Sequence, residues 1–112
     1  MSNLADPIDH VFKALSDPTR RKVLEKLSQG RASVSELAEP FDMALPSFVQ
    51  HLKILEESGL VRSEKQGRIR TFELATAPFR QAEDWLSAQR RLWEGRLDRL
   101  DSYLLKLKEQ KT

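Results

Sequence analysis

Two histidines, His10 and His51, are the only side chains in this sequence with an ordinary pKa near neutrality, and no cysteine accompanies them. They fall on different predicted helices without an acidic orienter, and no glycine-rich phosphate loop is present. Nucleophilic and phosphoryl-transfer chemistry therefore lack their parts, and no catalytic residue or cofactor is expected. His51, beside Leu52, reads as a helix histidine bonded to backbone or phosphate, and His10 as a solvated surface residue. What the chain does carry is polar and basic side chains at regular spacing. Ser47, Gln50 and Lys53 recur every third residue, while Lys65, Arg68 and Arg70 flank Gly67. A hydroxyl, an amide and several cations in such an array suit recognition of a polyanion rather than bond breaking.

The charge distribution agrees. Net charge is only +2, but the stretches Thr19 to Arg31 and Arg62 to Arg70 together sum to +7, leaving −5 on the remainder. That asymmetry is expected if two segments face a polyanion, although basic runs are equally read as wet helix faces. Arg20 and Arg21 could contact phosphate or pair with Asp17. With 112 residues, 12.9 kDa and no disulfide, the chain must fold as one domain by packing alone. A core this small favours oligomerisation. No apolar run is long enough to span a bilayer, and Met1 to Asp6 lacks the basic start and apolar core of a secretion signal, so a cytoplasmic protein without membrane attachment is expected.

Positioning the array requires helices with defined ends. Asp6-Pro7 and Asp17-Pro18 each set a capping carboxylate before a proline preorganised for the first helical turn. They predict helices over Pro7 to Leu15, with Ile8, Val11, Phe12 and Leu15 on one stripe, and over Pro18 to Ser28, stopped by Gly30. An extended piece at Ala32 and Ser33 precedes a short helix, Ser35 to Glu39. A tight turn around Asp42 then leads to a fourth helix that starts near Leu45-Pro46, buries Phe48, Leu52 and Leu55, and closes at Ser58-Gly59. Strands over Leu60 to Glu64 and Ile69 to Leu74, joined through Gly67, predict a hairpin. From Pro78 to about Lys108, apolar residues at three-and-four spacing predict one long helix, whose wide apolar face is expected to cover both its own domain and a partner.

A helix-turn-helix followed at once by a hairpin is a winged helix, in a chain that is mainly α with a small β-hairpin. The segments Phe12-Lys13-Ala14-Leu15-Ser16-Asp17-Pro18-Thr19-Arg20-Arg21, Val34-Ser35-Glu36-Leu37-Ala38, Val49 to Val61 and Gly67-Arg68-Ile69-Arg70-Thr71-Phe72 resemble, in their usual order, the ArsR family of bacterial transcriptional regulators. The resemblance covers roughly Asp6 to Leu74. It implies a homodimeric repressor of double-stranded DNA at an inverted-repeat operator, with residues 7–76 as the DNA-binding core and 78–110 as a dimerisation helix. Ser47, Gln50 and Lys53 lie opposite the buried stripe of the fourth helix. Gln50 can bond bidentately to adenine, and Lys53 and the wing cations suit phosphates. Leu45, Pro46 and Val49 depart from the polar residues often found there, and apolar side chains can favour thymine methyls but supply no hydrogen bond. Dimer contacts are expected from Val11, Leu86, Trp93, Leu100, Tyr103 and Leu107. Trp85 and Trp93 read as core or interface residues rather than as the lining of an effector pocket. Where metal-sensing members place a Cys-x-Cys pair, this chain has Ser33 and Ser35, and no histidine follows His51, so metal sensing is not expected. The signal, including any small-molecule effector, is not encoded in a visible motif. A protein-interaction module, with the wing arginines meeting an acidic partner, is the alternative.

Overall fold

The computed structural model describes residues 6–110, and the expectation about an N-terminal signal rests mainly on residues outside that range. Five helices and three short strands follow in the order α1 (Pro7–Leu15), α2 (Pro18–Leu27), β1 (Ala32–Ser33), α3 (Val34–Ala38), α4 (Leu45–Ser58), β2 (Val61–Gln66), β3 (Ile69–Leu74) and α5 (Ala77–Gln110).

The capping signals act where the sequence places them. Asp6 accepts from the Ile8 N–H, and Asp17 from the N–H groups of Thr19 and Arg20 at 2.8 and 3.2 Å. Burial pushes the Asp17 carboxyl up, but those two backbone donors, with smaller help from His51 and then the Arg20 charge, hold it below its ordinary value. Helix α3 begins one residue earlier than expected because Ser33 closes a reciprocal box with Glu36, each accepting the other's backbone N–H. The Ser33 N–H, and after it the Ser33 hydroxyl, hold the Glu36 carboxyl below its ordinary pKa. The S-x-x-E pattern was available in the sequence as a start signal. Between α3 and α4 the chain takes residues 39–44, longer than the expected tight turn.

Helix α4 ends at Gly59, whose φ of +79° is left-handed. The dihedral favours glycine, and a Cβ built there would lie 3.2 Å from the Pro78 ring in the first turn of α5, a tight contact that adds to the strain. Past Gly59, Ser58 Oγ receives the Leu60 N–H, and Leu60 O receives the Ala75 N–H, joining the entry and exit of the hairpin. Strands β2 and β3 pair antiparallel from Val61↔Leu74 to Gln66↔Ile69. The loop is thus only Gly67 and Arg68, two residues shorter than expected, with Gly67 at φ +63°, which suits the first loop position of a tight hairpin. The extended piece at Ala32 and Ser33 is a third strand, pairing with Phe72 and Thr71 to give the sheet order β1-β3-β2.

The chain divides into two units, 1–82 and 83–112. All core residues of the described chain lie in the first: Val11, Val23, Leu37, Phe48, Leu55 and Leu60 are fully enclosed together with Phe72 of β3. Ala82 is the last buried residue, and no described residue from 83 to 110 is buried. Val11, expected at a dimer interface, is 0 % exposed within its own unit and has no surface to offer a partner. Its place in the α1 stripe is a core place.

Candidate nucleic-acid interface

Helix α4 is split along its length. Phe48, Leu52 and Leu55 point into the core, whereas Ser47, Gln50 and Lys53 are exposed. At about 100° per residue, Gln50 and Lys53 sit near the middle of the outward face, with Ser47 on one flank and Leu45 and Val49 on the other. Leu45 and Val49 are 56 % and 44 % exposed. Thus all five helix residues singled out from sequence share the solvent side of one element.

His51 occupies the border between the faces, and its partners differ from those expected. Arg20 of α2, only 7 % exposed, donates from Nε to Ala14 O at 2.9 Å and from Nη2 to Lys13 O at 2.8 Å, satisfying carbonyls at the end of α1. Its Nη1 lies 2.9 Å from His51 Nδ1. A guanidinium can only donate, so Nδ1 accepts and the ring proton sits on Nε2. Asp17 Oδ2, 3.7 Å from the same nitrogen, is too distant to replace that bond. His51 Nδ1 is therefore bonded to a side chain of α2. Through it α1, α2 and α4 share one hydrogen-bonded node.

The basic stretches shrink as a result. Arg20 is consumed in the node, Arg21 donates to Leu15 O, and Lys26 donates to Glu36 O. Across the sheet, Arg31 reaches Glu64 and Glu73, and Arg62 reaches Glu73. Reading both runs as facing a polyanion overcounts, because much of their charge is committed within the fold.

Besides Lys22 of α2, the cations left over are at the tip of the hairpin. Lys65 stands directly across from Arg70, and Arg68 is in the loop. Like charges opposite one another weaken a strand pair, so this rung costs stability in the isolated protein and becomes favourable only beside an anion. Arg70 also donates to Ser63 Oγ at 2.7 Å, and Ser63 Oγ donates to Glu56 Oε1 of α4 at 3.1 Å. This relay fixes the wing against the C-terminal half of α4, and no short-range sequence signal announces it. Between them lies a cleft of about 250 Å³ lined by Val34, Val49, Leu52, Lys53, Glu56, Arg70 and Phe72.

Ser33 and Ser35, which stand at the positions of a thiolate pair, lie 3.3 Å apart through their hydroxyls, and Ser33 is occupied as the α3 cap. In the second unit, Leu86, Trp93, Leu100, Tyr103 and Leu107 are all exposed on α5, as are Leu92, Leu97 and Leu104. No helix of the described residues is long and apolar enough to cross a membrane.

Comparison with known proteins places this geometry. A family model described as a helix-turn-helix domain matches residues 15–64. The transcriptional repressor SdpR of Bacillus subtilis is 34 % identical over 79 residues, 70 % of this chain and 88 % of the relative. The crystal structure of an ArsR family transcriptional regulator superposes with a TM-score of 0.77 at 53 % identity, covering 84 % of this chain and 97 % of the other. A homodimeric winged helix-turn-helix DNA-binding domain from Mycobacterium bovis, solved in solution, gives 0.61 at 27 % identity, with 80 % and 84 % covered.

Proposed function

This chain belongs to the ArsR family of transcriptional regulators, and we propose that it works as a sequence-specific, homodimeric repressor on an inverted-repeat operator in double-stranded DNA. The observation that carries this reading is the division of α4. Its apolar stripe is consumed by the core, and the side left over is a row of Ser47, Gln50 and Lys53 with the dimensions of a major groove reader. Gln50 offers an acceptor and a donor in the fork that fits adenine, Ser47 reads beside it, and Lys53 anchors on phosphate. Lys65, Arg68 and Arg70 of the wing reach the backbone, where their mutual repulsion is relieved.

Residues 7–76 form the DNA-binding core, and 78–110 supply the dimerisation helix. The second copy covers the face carrying Leu86, Trp93, Leu100, Tyr103 and Leu107, all of them exposed along one helix. Two copies related by a two-fold axis then present recognition helices to half-sites one helical turn apart. A regulator acting on chromosomal operators works in the cytoplasm, and the assignment requires neither catalytic residue nor cofactor.

The test is a duplex selected from a random library by the full-length protein, compared with its scrambled sequence at one fixed salt concentration. Gln50→Ala is expected to lose about 1–3 kcal/mol per half-site on the selected duplex and little on the scrambled one, whereas Lys53→Ala weakens both alike. If Gln50→Ala lowered both affinities equally, or neither, the Gln50 row would not be the reading face of α4, and Leu45 and Val49 would become the better candidates. Selection of no duplex at all would favour a protein-interaction module.

A further inference from the structure

Leu45 and Val49 supply no hydrogen bond to a base, yet both are exposed on α4. A single exposed aliphatic side chain needs no explanation, but these two stack one turn apart, and Lys53 continues the same row a turn later. Leu45, Val49 and Ile69 are the large exposed hydrophobics among described residues 6–82, and two of the three are on this one flank. Val49 also lines the cleft formed with the apolar residues Val34, Leu52 and Phe72 and the charged residues Lys53, Glu56 and Arg70, of which Glu56 is engaged by Ser63. An apolar strip therefore runs beside the Gln50 row and ends at Lys53 and Arg70 with Glu56 between α4 and the wing.

Among the groups displayed in the major groove, the thymine C5-methyl is the apolar one, and it lies next to the strand that carries its own phosphates. We propose that Leu45 and Val49 read thymine by packing against C5-methyls, with Lys53 and Arg70 holding the adjoining backbone. The strip selects thymine over cytosine through shape and desolvation, at base pairs neighbouring the one that Gln50 engages. This rests on the reading that α4 enters the major groove. It adds a second, hydrogen-bond-free recognition mode on the opposite flank from Ser47.

The experiment uses the full-length dimer and the duplex it selects. Each thymine is replaced singly by deoxyuridine, which removes the methyl and leaves every hydrogen-bonding group in place. At one or two positions per half-site the wild-type protein is expected to lose about fourfold in affinity, the effect of exposing one buried methyl-sized group. Leu45→Ala and Val49→Ala, both at exposed positions, are expected to bind the thymine duplex correspondingly weaker and to become indifferent to deoxyuridine at their own position. Cytosine in place of that thymine lowers wild-type affinity, and 5-methylcytosine recovers part of it. A flat response to deoxyuridine at every position, or an undiminished penalty in both alanine variants, overturns the methyl reading while leaving operator binding intact. Failure to select any duplex would overturn operator binding and this inference with it.

Discussion

Residues 6–82 and residues 83–110 use the same leucines and aromatics to opposite ends. In the first stretch three large hydrophobics are exposed, and all the buried ones of the described chain are found there; in the second, ten from Trp85 to Leu107 are exposed and none is buried. One stretch completes its core within a single chain, whereas the other has an apolar face with no cover of its own. Helical periodicity is similar in both, so periodicity reports that a face will be covered without saying by what. The first region specifies a fold, and the second leaves the face on which the proposed dimer rests.

The contrast breaks most visibly at the assembly. Replacing Trp93 and Leu100 together by glutamate leaves residues 6–82 untouched, so the protein should remain folded by circular dichroism and sediment as a monomer. Operator affinity should fall more than about 100-fold, the scale of losing the second, effectively intramolecular half-site. A variant that stays dimeric would move the interface elsewhere.

Next in size is a matched pair of leucine truncations. Leu55→Ala, within the closed core, is expected to cost about 2–5 kcal/mol in denaturant unfolding. Leu97→Ala, exposed on α5, should change monomer unfolding by less than about 0.5 kcal/mol. Similar costs would mean that the second region has a core after all.

A third measurement sharpens the comparison on the DNA side. Neutralising Arg68 and Arg70 should weaken all duplexes alike and lower the slope of log affinity against log salt by about two to four units per dimer, at roughly 0.9 per phosphate contact. Because Arg70 is also tied to Ser63, its share is expected to be the smaller, and single variants will separate the two.

The smallest effect concerns how the first region is held in register. Asp17→Ala should cost about 0.5–2 kcal/mol at neutral pH through loss of the α2 cap. As the folded Asp17 pKa lies below its ordinary value of 3.8, its contribution is complete above that value and fades as pH falls towards the folded one. The gap between variant and wild type should therefore narrow in acid below about pH 4, as followed by thermal unfolding across pH.

Local signals account for what could be read without coordinates. The two Asp-Pro caps, the Ser58-Gly59 stop and the Gly67 turn act over a few residues, and each falls within a residue or two of its expected place. What escaped depends on distant partners. The pairing of Ala32 with Phe72 joins residues forty apart in a strand too short to show alternation. Arg20 reads as a surface base because a guanidinium is seldom buried, and only the approach of α4 supplies the third acceptor that makes its burial tolerable. The outward row of α4 was legible for the converse reason: once Phe48, Leu52 and Leu55 are committed inward, helical geometry dictates the remainder.

The rung that sets Lys65 against Arg70 bears on motion and on rate. Hydrogen-bonded rungs near Val61 are anchored by buried neighbours, while the far end must hold an ammonium and a guanidinium side by side. Local opening begins at such a place, so amide hydrogens from Gln66 to Ile69 should exchange with solvent sooner than those at the base of the hairpin. Added phosphate would slow them. A tip carrying three cations meets the field of a polyanion early, so the wing would hasten encounter even where it adds little to final affinity.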